Sequence, residues 1–147
     1  MSQPTPTPST PSSSSSAVPA TPSGDAQFDQ GLAMRAQVMG DAFVERAYAG
    51  VTPFTAPIQQ HITRNAWGDV WQRPGLDLKT RSLVTVAMLT ALGKSNELKG
   101  HVRGALNNGA TVAEIQEVLL HATVYCGVPT AVEAFRAAAE VVGDGPV

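Results

Sequence analysis

Glu97 and His101 stand four residues apart in the stretch from Ser95 to Gly109, SNELKGHVRGALNNG. On an α-helix that spacing puts a carboxylate and an imidazole one turn apart. Such a pair can share a hydrogen bond, fix the imidazole tautomer and hold a proton for delivery to a bound substrate. The same spacing also yields plain solvated surface pairs worth about 0.3 kcal/mol. Arg81 falls in the first turns of a strongly apolar stretch, where a guanidinium needs a carboxylate: Asp69, Glu97 or a substrate group. His121 and Tyr125 form a second pair one turn apart, on a common flank with Glu114. Glu97, His101 and His121 also make the donor set of a two-histidine, one-carboxylate metal triad.

These groups need helices to position them. Leu98, Val102, Ala105 and Leu106 mark the buried face of the Glu97 helix, and Glu97, His101, Gly104 and Asn108 run along its edge, where core meets cavity or solvent. Gly104, lacking a Cβ, is expected to leave room beside the pair. Upstream, Asp25 caps a helix carrying Phe28, Leu32, Met34, Val38 and Met39, which Gly40 ends. A short helix over Asp41 to Ala49 follows, and then one over roughly Pro57 to Trp67 with Ile58, Ile62 and Ala66 on one face. His61 lies on the other side of that helix. Trp67 and Trp71, with Pro74 and Gly75, make a loop heavy enough either to wall a pocket or to plug the core. Asp77 caps the helix Leu78 to Leu92, whose apolar residues cover nearly every angle, so it is expected to be the central buried one. Thr111 and Glu114 form a capping box for the next helix. Its core stripe is Ile115, Val118, Leu119, Ala122 and Cys126, while Leu120 and Val124 lie on a second apolar face suited to another subunit. Pro129 opens a last helix with Ala131, Val132, Phe135, Ala138 and Val142. No stretch alternates with period two, and the fold class is all-α.

The 147 residues, 43% hydrophobic, suit one domain. A net charge of −2 without a basic cluster gives no footprint for nucleic acid or an anionic membrane, and no apolar run could span a bilayer. A single cysteine, Cys126, excludes an intrachain disulfide or a CxxC redox pair and fits a reducing, cytoplasmic setting; on a core face it reads as structural. Residues 1–24, rich in Ser, Pro and Thr and uncharged, read as a disordered tail without a secretory signal. The domain runs over 25–143, and 144–147 form a short C-terminal tail.

Trp67-Gly-Asp-Val-Trp71, Arg73-Pro-Gly-Leu, Thr80-Arg-Ser82, Glu97-Leu-Lys-Gly-His101-Val-Arg103, Asn107-Asn-Gly-Ala-Thr111 and His121 through Tyr125-Cys-Gly-Val-Pro129 resemble, in order and at similar spacing, the γ-carboxymuconolactone decarboxylases. The resemblance runs from about Asp25 to Val142. It implies an alkylhydroperoxidase D-like helical bundle, assembly as homo-oligomers such as hexamers, and cofactor-free conversion of γ-carboxymuconolactone to β-ketoadipate enol-lactone and CO2 in the protocatechuate branch of the β-ketoadipate pathway. The peroxidase relatives carry a CxxC where this chain has Lys94 and Glu97, so disulfide exchange cannot run here.

The implied substrate is a small anionic lactone and a vinylogous β-keto acid. Loss of CO2 sends an electron pair into the ring and on to the lactone oxygen, and the carbon must then be protonated. Arg81 is assigned to a substrate carboxylate or the developing oxyanion, and His101, polarised by Glu97, to proton donation. His121 with Tyr125 is a second candidate donor or oxyanion ligand, and Trp67, Trp71 and Asn108 are expected to bind substrate. No metal or cofactor is implied. Two rivals remain: a homologue recruited to another decarboxylation, isomerisation or cyclisation, and a catalytically silent oligomeric binding protein.

Overall fold

Asp25, Asp77 and Thr111 accept hydrogen bonds from the backbone N–H groups of Phe28, Thr80 and Glu114. These caps start three of the helices in the computed structural model, which describes residues 22–143. The helices are α1 (Ala26–Met39), α2 (Asp41–Ala49), α3 (Ala56–Ile62), α4 (Leu78–Ala91), α5 (Ser95–Asn107), α6 (Val112–Cys126) and α7 (Val128–Val142). A π-helical turn, Thr63–Trp67, and a 3-10 turn, Val70–Gln72, lie between α3 and α4. No strand occurs among the described residues, as the all-α reading requires. The tail expected over 1–24 lies outside the described residues except at 22–24, as does that over 144–147.

The core forms where α4, α5, α6 and α7 meet, around Val86, Leu98, Val102, Ala105, Ile115, Leu119 and the alanines of α7. α1 packs on α5 and on the π-helical turn, and with the 3-10 turn they build a second cluster of Val38, Met39, Trp67 and Trp71. The Thr111–Glu114 capping box is complete, with bonds of 3.1 and 2.8 Å.

Two expectations change. The segment foreseen as one helix to Trp67 is α-helical only to Ile62, and Ile58 is 55% exposed. One extra residue per turn from Thr63 onward redirects Trp67, and such π turns recur at functional sites. Backbone contact holds this turn. A Cβ on Gly31 would stand 2.0 Å from the Thr63 carbonyl oxygen, and one on Gly68 would stand 2.3 Å from that of Gln27.

The second change concerns α4, which is not buried all round. Only Ser82, Val86 and Thr90 are fully enclosed, whereas Val84, Met88 and Leu92 are 40%, 59% and 68% exposed. The buried hydroxyls cost little because Ser82 and Thr90 donate to the carbonyls of Leu78 and Val86, each at 2.8 Å. Leu120 and Val124 of α6, the face assigned from sequence to a subunit contact, are likewise exposed, at 50% and 77%.

Candidate active site

Four of the residues singled out in the sequence border one cavity of about 510 Å³: Glu97, His101, Trp67 and Trp71. It is completed by Arg35, Met39 and Phe43 from α1 and α2, Ile62 and Ala66 from α3 and the π turn, Thr85 from α4 and Asn96 from α5. The volume lies within the range of about 300–1,000 Å³ common for small-molecule sites.

Trp67 and Trp71 stack with centroids 4.8 Å apart, and the His101 ring lies parallel to Trp67, at 1° and 6.2 Å. Both tryptophans are buried, so the loop is core packing and cavity wall at once. His101 Nδ1 is enclosed without a hydrogen-bond partner. Burial pushes the His101 pKa down to about 4; the Arg35 charge adds to the fall and the Glu97 carboxylate opposes it. The imidazole is therefore neutral at pH 7. Glu97 acts on it through space; the expected hydrogen bond between them is not formed among the described contacts.

Arg35 is the residue that the sequence reading missed. It is 5% exposed and donates from Nη1 to Gln59 Oε1 at 3.0 Å. Its guanidinium carbon stands 5.8 Å from the Phe43 ring centroid, and its Nε has no hydrogen-bond partner. The ion pairs among the described residues are Arg64–Asp25, Lys79–Glu114 and Lys99–Glu140, so Arg35 faces no carboxylate at ion-pair distance. Burial also pulls its pKa below the usual guanidinium value, against an opposing effect of Tyr48. A signal existed: Phe28, Leu32, Arg35 and Met39 recur at i, i+4, i+7 and i+11, which sets a cation inside an apolar stripe.

The room expected at Gly104 is not ligand space. Missing Cβ atoms at Gly100 and Gly104 admit Met39, whose Cε and Sδ would lie 3.1 and 3.2 Å from them. This close seat of α1 on α5 is what carries Arg35, one turn before Met39, to the cavity.

The other expected site residues lie elsewhere. Arg81 donates from Nη2 to the Arg73 carbonyl at 3.0 Å and pairs with neither Asp69 nor Glu97; it is absent from the cavity lining, although Thr85, one turn on, belongs to it. Asn108 donates to Ser82 Oγ at 2.9 Å, clamping α5 to α4 away from the cavity. His121 and Tyr125, with ring centroids 4.8 Å apart, border a separate cavity of about 780 Å³ between α4 and α6, together with Glu117 and Cys126. Cys126 is thus half-buried at a cavity edge rather than in the core. Within one chain Glu97, His101 and His121 do not converge, and no group of three metal-capable side chains forms among the described residues.

Residues 56–140 match the model of the carboxymuconolactone decarboxylase family. Among curated proteins, the chain is 49% identical over 117 residues to nitrosuccinic acid decarboxylase npaB of Metarhizium robertsii, covering 80% of this chain and 82% of that protein. It is 44% identical over 118 residues to 4-carboxymuconolactone decarboxylase of Acinetobacter baylyi, covering 80% and 88%. Helical architecture, the aromatic cavity around His101 and these matches agree: the chain belongs to the carboxymuconolactone decarboxylase family.

Proposed function

We propose that this chain decarboxylates a small acid in the His101 cavity without a cofactor, with 4-carboxymuconolactone, turned over to β-ketoadipate enol-lactone and CO2, as the first substrate to assign. The observation that carries the proposal is a half-buried imidazole, held neutral, in one cavity with two stacked tryptophans and a buried cation. Aromatic walls exclude water, and a carboxylate moved from water into such surroundings loses more solvation than a transition state whose charge is spread over a conjugated system. The C–CO2 bond breaks, its electron pair passes through the C=C bond to the lactone oxygen, and CO2 leaves neutral. An anion bound beside His101 raises the proton affinity of the imidazole, so it enters the reaction protonated and gives that proton to the carbanionic carbon. Glu97, one turn away on the same helix, favours the imidazolium through its charge.

The similarity to the nitrosuccinic acid enzyme favours a second substrate. There a nitro group would accept the electron pair as a nitronate, and the same proton transfer would follow. Incubating the purified protein with each acid, and following CO2 with the enol-lactone or the nitro acid product, decides between them. No CO2 from either would overturn the proposal.

We further propose assembly as a homo-oligomer, a hexamer in the first instance, supported by the exposed apolar residues Val84, Met88 and Leu92 of α4 and Leu120 and Val124 of α6. His121 and Tyr125 share a cavity with Val84 of that set, so their expected substrate role belongs to the assembled protein. Light scattering on the purified protein tests the subunit number. A cytoplasmic place in protocatechuate catabolism follows from the substrate assignment; no described helix is long and apolar enough to cross a membrane.

A further inference from the structure

We infer that Arg35 is the receptor for the carboxylate that the substrate keeps, so that the cavity selects small dicarboxylates over monocarboxylates. The inference rests on the decarboxylase reading for its choice of carboxylate, and on geometry alone for its choice of receptor. An arginine 95% enclosed, with an unpartnered Nε and no carboxylate at ion-pair distance, leaves a buried charge uncompensated, since Glu97, which lines the same cavity, makes no ion pair with it. Buried charges are held by paired and hydrogen-bonded partners. Gln59 and the Phe43 ring supply one neutral acceptor and one ring face, which leaves donors of the planar fork available to an anion entering the cavity that Arg35 lines.

The direction of charge flow identifies the anion. The departing carboxylate becomes neutral CO2, so a cation held on it stabilises the ground state more than the transition state and slows the reaction. A carboxylate that survives the reaction keeps its charge throughout, and pairing it with Arg35 binds both states alike. Substrate grip is thus separated from bond cleavage: Arg35 anchors one end, and the other carboxylate lies in the aromatic part of the cavity. The fragment of chain that supplies Arg35 also precedes the family-matched residues 56–140, so the family segment brings the imidazole and the tryptophans while α1 adds the cation that sets substrate class.

The test uses full-length protein and two probes that cannot be turned over, succinate and its monoamide succinamate, with binding measured by calorimetry. Wild type is expected to bind succinate at least about tenfold more tightly than succinamate, and Arg35→Met to lose that difference, on the scale usual for a deleted charge-assisted contact. In turnover, Arg35→Met should lower kcat/KM for the accepted diacid about 100-fold, mainly through KM, while its melting temperature stays level or rises because an uncompensated charge has been removed. Arg35→Lys, which keeps the charge without the fork, should fall between the two and serves if the Met variant does not fold. Equal preference for succinate in wild type and both variants, or no succinate binding by wild type at millimolar concentration, overturns the inference. Arg35-dependent succinate binding in a protein that releases CO2 from neither acid would leave the receptor standing and remove the decarboxylase reading instead.

Discussion

Two cavities in this chain each carry a glutamate and a histidine four residues apart on one helix: Glu97 with His101 on α5, and Glu117 with His121 on α6. Their environments differ in every respect that matters for proton chemistry. His101 sits against buried tryptophans and near an enclosed guanidinium, and its pKa falls to about 4. His121 is exposed, its neighbour Tyr125 is 76% exposed, and no arginine lines its cavity. The larger cavity is the less equipped one. Spacing alone proposes a proton relay, and burial together with a fixed charge decides which copy of the motif can be one.

The largest effect expected is kinetic. His101→Ala should cut kcat by about 1,000-fold, a general acid's usual share, and exceed the loss from His121→Ala by at least tenfold in the same assay. The opposite order would move the chemistry to the α4–α6 cavity and break the comparison.

Acid titration reads the same contrast as stability. Unfolded His101 protonates at its ordinary 6.5 and folded His101 only near 4, so the unfolded chain binds the extra proton first as pH falls. His101's contribution is therefore complete above pH 6.5, declines between 6.5 and 4, and is flat below, a loss of about 3 kcal/mol. Urea melts of wild type and His101→Leu across that window should differ by that slope; parallel curves would mean that the imidazole is well solvated.

Backbone packing separates the two regions further. Gly31→Ala pushes a methyl into the Thr63 carbonyl and should cost about 2–3 kcal/mol, as overpacking does, and it should depress kcat/KM as α1 and Trp67 part. Thr111→Ala removes the cap of the His121 helix and should cost about 1 kcal/mol with kcat/KM within about twofold of wild type, since small losses away from the site leave its geometry in place. A stability loss from Gly31→Ala without any kinetic loss would uncouple α1 from the site.

Helix limits were legible because local chemistry writes them: Asp25, Asp77 and Thr111 at starts, and Gly40, Gly109 and Gly127 at positive φ where helices stop. The meeting of Trp67, Trp71, Glu97 and His101 was legible through motif and helical period. Arg35 was legible only as a cation inside the apolar stripe of α1; its arrival at the cavity depends on α1 sinking onto two glycines of another helix, a long-range packing event that no window along α1 contains. The π turn escaped for a related reason. Its extra residue is stabilised by contacts from Gly31 and Tyr48, the latter through a 2.9 Å bond between the Tyr48 hydroxyl and Thr63 Oγ1. Arg81 and Asn108 show the converse: polar residues at promising angles that the fold turns to the Arg73 carbonyl and the Ser82 hydroxyl, with Arg81 only partly buried and outside the cavity lining.

Met39 fills the hollows above Gly100 and Gly104 and also borders the chamber next to His101. A thioether chain with three soft torsions can be remoulded by what presses on it, unlike a branched or aromatic side chain. The chamber therefore has one yielding panel among rigid ones. Acids of unlike outline, a flat ring or a bent open chain, can be accommodated at that spot while the indoles and the imidazole hold still, so a single exchange at Met39 offers a short route from one substrate shape to another.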